Sequence, residues 1–138
     1  MNPTSDVQTV IERFTAHDIR LTPQRISVYK YVIDHPDHPT VDMVYSDLKS
    51  MNPSLSKTTI YNIAEVLEGA GLIKILRIGD GDVRLDACID QPAHFHCKKC
   101  GKILNLQIDS ISIPAMLNGY QIDEYDIYAS GICPDCLD

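Results

Sequence analysis

The sequence has no run approaching the roughly 20 apolar residues that a membrane span requires. Its first thirty residues carry no secretory signal pattern. Internal repeats and low-complexity tracts are absent as well. Positive charge is scarce: 12 Lys and Arg stand against 19 Asp and Glu, a formal net charge of −7. These absences argue against a membrane partner and against a protein that grips nucleic acid by bulk charge alone. The expectation is a cytoplasmic chain, in which five cysteines are reduced or metal-bound rather than joined as disulfides.

What is present is an ordinary globular composition, 44% hydrophobic and 22% charged over 138 residues. That is one domain or two small ones, long enough to bury about two-thirds of its extended surface. The first half reads as helical. Ser5 is placed to cap a helix carrying Val7, Val10, Ile11 and Phe14. Thr22-Pro23 is a stronger start, a hydroxyl cap followed by proline at the first helical position, with Ile26, Tyr29, Val32 and Ile33 as the apolar stripe. The segment Asp34 to Pro39 ends that helix, because the residue before a proline avoids helical backbone. Thr40 caps a third helix with Val41, Val44, Tyr45 and Leu48 inward, and Ser56 a fourth with Ile60, Ile63, Ala64 and Leu67 inward. The fourth helix runs to Gly69-Ala70-Gly71.

Residues 72–78 and 83–88 then alternate like strands around Gly79-Asp80-Gly81-Asp82, a hairpin signal. Short helices followed by a hairpin are the element order of a winged helix-turn-helix. Beyond Asp90-Gln91-Pro92 the character changes, with strands expected over 93–97, 103–108 and 120–129 and a short helix near 110–118. The fold class is therefore α+β, with a winged-helix domain over 1–87 and a small α/β domain over 88–138.

Cys97-Lys98-Lys99-Cys100 and Cys133-Pro134-Asp135-Cys136 are two Cys-x-x-Cys pairs. Zinc takes four thiolates in a tetrahedron, and a two-residue spacer lets one tight turn offer two of them. The 32 residues between the pairs exceed the usual zinc-ribbon gap, so the intervening strands must fold back. Four protein ligands leave no open position, so such a zinc is structural and not catalytic. Neither pair opens a helix in a βαβ unit, which argues against a thioredoxin-like use of Cys97 and Cys100. Cys88 remains as an expected buried structural thiol. His17 and His35 read as solvated residues at a helix end and in a proline-bounded turn. His94 and His96 share one face of a strand while Cys97 takes the other. Should His38, Asp86 and His94 converge, they would form a mixed nitrogen–oxygen site suited to iron, manganese or zinc.

Several segments together are specific: Leu21-Thr22-Pro23-Gln24-Arg25, His38-Pro39-Thr40, Ser56-Lys57-Thr58-Thr59-Ile60-Tyr61, Gly71-Leu72-Ile73, Arg84-Leu85-Asp86, His94 to Lys102 and Gly131 to Cys136. In this order and spacing the chain resembles the ferric uptake regulator family over nearly its whole length. The resemblance implies a homodimeric, metal-dependent repressor of transcription acting on double-stranded DNA at an AT-rich inverted repeat, with no small-molecule substrate. DNA binding would lie in the first half and dimerisation in the second. Asp86, where the iron-uptake branch usually has Glu, is closer to the peroxide-responsive branch. There, bound ferrous iron reacts with peroxide, oxidises a ligand histidine and releases the clamp that holds the protein closed. Cofactors implied are one structural Zn²⁺ and a regulatory Fe²⁺ or Mn²⁺.

Carried over, the regulatory site draws on His38, Asp86 and His94. The family's histidine five residues before the first zinc cysteine is Pro92 here, and its carboxylate five residues after the second is Asn105. His96 is a candidate replacement for the missing imidazole, and Asn105 offers only a neutral carbonyl oxygen. Glu124 and Tyr125 stand where a further family site has histidines. The fourth helix is expected in the major groove, presenting Lys57, Thr58, Thr59, Tyr61 and Asn62, with Arg20 and Arg25 beside it on phosphates. Residues 1–86 hold nine Lys or Arg against twelve Asp or Glu, so binding should depend on a local patch and on geometry. The rival readings are an iron- or other metal-responsive uptake regulator, a zinc-stabilised DNA-binding repressor with a degraded regulatory site, and a thiol enzyme.

Overall fold

Three hydroxyl side chains start three helices. Thr22 Oγ1 accepts the Arg25 N–H at 3.1 Å, Thr40 Oγ1 the Met43 N–H at 3.2 Å and Ser56 Oγ the Thr59 N–H at 3.1 Å. Each satisfies an N–H that the helix itself leaves without a partner. They open α2 (Pro23–Asp34), α3 (Val41–Leu48) and α4 (Lys57–Gly69). Helix α1 (Val7–Ala16) is capped by Asp6, not Ser5: the Asp6 carboxylate accepts the Thr9 N–H at 3.3 Å. An anionic cap also complements the positive end of the helix dipole.

The computed structural model describes residues 6–77, 82–87, 93–106, 118–121 and 125–137. The chain divides into two units, Met1–Asp90 and Gln91–Asp138.

In the first unit the core is built from one stripe of each helix: Val10 and Phe14 from α1, Val28, Tyr29, Val32 and Ile33 from α2, Val41 and Val44 from α3. Helix α4 buries Ile60, Ile63, Ala64 and Leu67, the face its spacing predicts. Val7 lies in the first turn of α1 and projects past the core, 47% exposed; Ile26, Tyr45 and Leu48 pack only at its edge. The Phe14 and Tyr29 rings lie 5.6 Å apart, and the Tyr29 hydroxyl accepts from the Arg13 guanidinium at 3.0 Å, so its buried polar tip is satisfied.

Past its Ala70 cap, helix α4 is closed by Gly71, at φ +80°. There the Leu72 N–H reaches the Leu67 carbonyl and the Gly71 N–H the Glu68 carbonyl, both at 2.9 Å, while Leu67 and Leu72 are buried together. This closure needs a left-handed residue. The chain then enters β1 (Lys74–Leu76), antiparallel to β2 (Arg84–Asp86) with Ile75 opposite Leu85. Strand β1 starts later than expected because Leu72 belongs to the helix stop, and β2, expected over 83–88, leaves out Val83 and Ala87. The turn residues 78–81 and Cys88 lie outside the described residues. The segment after α2 adds a single bridge, Thr40 to Arg84, and the Leu85 N–H donates to the Pro39 carbonyl at 2.9 Å. Four helices and this hairpin make a winged helix-turn-helix.

The second unit carries a three-stranded sheet of β3 (Ala93–Cys97), β4 (Ile103–Asn105) and β5 (Ile127–Gly131), in the order β4-β3-β5. Strand β4 pairs antiparallel to β3, and β5 parallel to it. The strand expected over 120–129 instead begins at Ile127 and runs to Gly131, since pairing with the five residues of β3 sets its extent. The helix expected near 110–118, Pro114 included, lies outside the described residues except for Asn118, which sits in a turn. A 3₁₀ turn, Pro134–Cys136, follows β5. Among the described residues no helix is long and apolar enough to cross a membrane.

A Cβ built at Gly71 meets no atom within 4 Å, so only backbone strain opposes a side chain there. Gly71→Ala is expected to destabilise the fold by about 1 kcal/mol, as expected for a left-handed non-glycine residue, seen as a lower urea midpoint at unchanged slope.

Candidate functional site

The four cysteines meet because β3 and β5 are parallel neighbours. Register pairs Cys97 with Gly131, two residues before Cys133, and the Lys98 N–H donates to the Gly131 carbonyl at 2.8 Å. The first knuckle is a tight turn closed by the Gly101 N–H on the Cys97 carbonyl at 2.9 Å, with Gly101 at φ +81°. The second is the 3₁₀ turn, which Cys133 opens and Cys136 ends. The four sulfurs lie within 4.8 Å of one another and none is in a disulfide. A tetrahedron with arms of about 2.3 Å has edges of about 3.8 Å. The Cys100 and Cys133 sulfurs are 3.8 Å apart. The donor set and its spacing fit a structural zinc ion.

The thiols are also chemically prepared for a cation. The Cys100 and Cys133 N–H groups each point at the Cys97 sulfur at 3.4 Å. These bonds, the Cys100 one foremost, lower the Cys97 pKa to about 5. Cys136 is the reverse: its hydrogen bond to Cys133 and its burial push it up to about 12. Four thiolates this close repel unless a dication lies among them, and zinc resolves that conflict.

A second constellation lies in the first unit. His38 and Asp86 are 2% and 3% exposed, with His38 Nε2 at 3.4 Å from Asp86 Oδ2. His38 has φ +68°, an uncommon conformation for a residue before proline. The Arg84 guanidinium donates to the His38 carbonyl at 3.1 Å, and the Pro39 and Thr40 contacts to β2 hold the following residues. Strain of this kind persists only where the surroundings over-determine it, and it concentrates at functional sites. Asp86 ends β2, so one strand supplies both a carboxylate and the clamp on His38. Arg84 is thus a positioning residue that the sequence reading did not single out as one. Upstream, His35 is not simply solvated: its ring stacks on Tyr31 at 3.8 Å and its Nδ1 lies 2.7 Å from the Tyr31 carbonyl. The Tyr31 hydroxyl donates to Asp47 at 2.5 Å; burial, then that bond, holds it protonated well above the usual tyrosine range.

In the second unit His94 is fully buried on β3. Asn105 is its direct cross-strand partner on β4, and Tyr128 its partner on β5, with rings 6.3 Å apart. Residues directly opposite share a face, so Asn105 stands on the His94 side. His96 is two pairs further along, opposite Ile103 and Ser130, and only half-buried. Burial along β3 does not simply alternate, because His94 and Cys97 are both covered. Tyr128 is a neighbour of His94 that only the strand pairing discloses. Tyr125 is described but in no strand; Pro92 and Glu124 lie outside the described residues.

On helix α4, Lys57, Thr58, Tyr61 and Asn62 are exposed and Thr59 half-buried. Arg20, Arg25, Thr59 and Asn62 line one surface cavity between the start of α2 and α4, and the Arg25 guanidinium donates to the Arg20 carbonyl at 3.1 Å. Lys57, Thr58 and Tyr61 lie outside that cavity, and Lys57 instead pairs with Asp42.

The model of the ferric uptake regulator family matches residues 16–127. The chain belongs to the ferric uptake regulator family. Among the curated relatives it is similar to the peroxide operon regulator of Bacillus subtilis, 29% identical over 135 residues, covering 95% of this chain and 93% of that one. It is 32% identical over 124 residues to the peroxide-responsive repressor PerR of Staphylococcus aureus, covering 87% and 84%. Among solved structures, the Helicobacter pylori ferric uptake regulator Fur shares the fold at a TM-score of 0.80 and 17% identity, over 100% of this chain and 98% of that one. PerR from Streptococcus pyogenes aligns at a TM-score of 0.55 and 29% identity, over 99% and 95%.

Elemental analysis of the purified chain is expected to find zinc that Cys100→Ser abolishes. In the zinc-loaded chain the four cysteines should resist alkylation until a chelator is added; rapid alkylation before chelation favours thiol chemistry instead.

Proposed function

We propose that this chain is a metal-dependent, DNA-binding transcriptional repressor that responds to peroxide. The observation that carries the reading is the buried His38–Asp86 pair, held beside a left-handed backbone turn by the wing strand β2. Two buried ligand groups arranged at such cost suit a divalent ion better than a core contact. The named relatives, a peroxide operon regulator and a peroxide-responsive repressor, support peroxide as the signal.

In this reading His38 and Asp86 from the first unit and His94 from the second hold Fe²⁺ or Mn²⁺, with Asn105 and His96 completing the set. Ferrous iron, when bound, supplies reactivity toward peroxide. The chain itself supplies one buried imidazole from each unit and a buried carboxylate to offset the ion's charge. Residues 1–87 read DNA and residues 88–138 form the homodimer; the Cys97, Cys100, Cys133 and Cys136 zinc keeps β3 in place. An ion shared by both parts favours the arrangement in which two α4 helices match the half-sites of an AT-rich inverted repeat. Metal then tightens DNA binding by the factor by which DNA tightens metal binding. Thr58 and Asn62 read base edges, Tyr61 packs on thymine methyls, and Arg20, Arg25, Lys57 and Thr59 contact or position the backbone. The chain acts as a regulator and not as an enzyme.

Asn105 bears on which metal this site prefers. A neutral carbonyl opposite His94, where a carboxylate is usual, weakens a hard divalent ion.

Binding to an AT-rich inverted repeat is expected to tighten at least tenfold on adding Mn²⁺ or Fe²⁺, and peroxide should reverse it only in the iron-loaded chain. Asp86→Asn and His38→Ala should remove the metal dependence while zinc content stays unchanged. Affinity indifferent to both metals in the unaltered chain identifies a repressor whose regulatory site has decayed.

A further inference from the structure

Lys57 is the first residue of helix α4, where the positive end of the helix dipole disfavours a cation. Its ammonium is nonetheless paired there. Nζ lies 2.5 Å from Asp42 Oδ1, in the first turn of α3, and 5.8 Å from the Tyr45 ring. Asp82, beside the hairpin turn, lies near enough to act on both charges. The group therefore brings two carboxylates and one ammonium together at the tip of the helix proposed to read DNA, and its net charge is −1.

We propose that Asp42, seconded by Asp82, occupies Lys57 as an intramolecular stand-in for a DNA phosphate, so that the chain must exchange this ion pair for its phosphate contact on binding. The inference rests on the reading of α4 as the DNA-contacting helix. Lys57 and Asp42 are each 54% exposed, and an exposed pair of this kind is weak enough to change partners. The first unit carries a negative balance, so its non-specific attraction to DNA is already small. Withholding one further cation lowers affinity for arbitrary sequence and leaves recognition to depend on base contacts and on the spacing of the two reading heads. Asp42 is thus a specificity-determining residue that needs no contact with a base.

The test is duplex-DNA binding by the zinc-loaded chain across a salt series, on a random sequence and on the inverted repeat. Releasing one lysine to a phosphate steepens the slope of log K against log salt by about 0.9. Asp42→Asn is therefore expected to tighten random-sequence binding about eightfold at 0.1 M salt, with the gain vanishing toward 1 M. Asp82→Asn should act in the same direction and leaves the first turn of α3 intact. Asp42→Asn placed on Lys57→Ala should add nothing. A gain of equal size in that background means the carboxylate repels DNA directly and overturns the inference, as does an unchanged slope in both single variants. If Thr58→Ala and Asn62→Ala leave binding to the repeat intact, the reading of α4 fails and takes this inference with it. If they abolish it while both Asp variants are silent, only the inference fails.

Discussion

Parallel pairing of β3 with β5 is the constraint on which the second unit depends. It converts two distant Cys-x-x-Cys pairs into one cage, by setting Cys97 against Gly131 and so bringing Cys133 within reach. Among the described residues this unit buries little apolar surface: Ala93, Ile103, Cys97 and Cys133. A body so small needs a staple, and a Cys₄ zinc supplies folding energy directly. His94 rides on the same strand as Cys97. The structural metal therefore fixes the strand that presents the proposed regulatory ligand, and loss of zinc disturbs that ligand without touching it.

The first unit solves a related problem with backbone bonds instead of metal. Helix α2 stops before a proline-rich turn, and the chain must return to begin α3 with Thr40 as its cap. Strand β2 governs the return. Leu85 holds the Pro39 carbonyl, Arg84 holds the His38 carbonyl, and Asp86 faces the His38 ring. A left-handed histidine costs about 1–3 kcal/mol, which this network offsets. The packing of α2, α3 and the hairpin is thereby transmitted to one imidazole.

Much of the helical half was legible in its residues. Thr22, Thr40 and Ser56 cap the helices they were expected to cap, and the buried face of α4 is the one its spacing names. Caps and stripes act within three or four residues, so local sequence contains them. The exceptions are instructive. Asp6 displaced Ser5 as a cap because two adjacent good caps differ only in which helical turn forms first. Strand β5 differs in extent from its pattern because a strand's limits belong to its partner, and β1 starts late because the stop of α4 takes Leu72. His35, expected in solvent, stacks on a tyrosine one turn back on the helix. The pairing of Lys57 with Asp42 joins two helix starts that are 15 residues apart, and no spacing rule connects them.

The sequence by itself determined the ligand chemistry and the helices: four thiols in two turns, a hydroxyl before each of three helical stripes, a glycine where a left-handed stop was needed. Those are matters of side-chain type and near-neighbour spacing. Tertiary structure decided which groups meet: Cys97 with Cys133, His38 with Asp86, His94 with Asn105 and Tyr128. Such pairings depend on strand register and on the direction of a crossover. Both are settled by the combined burial and hydrogen bonding of whole elements, which no short segment contains.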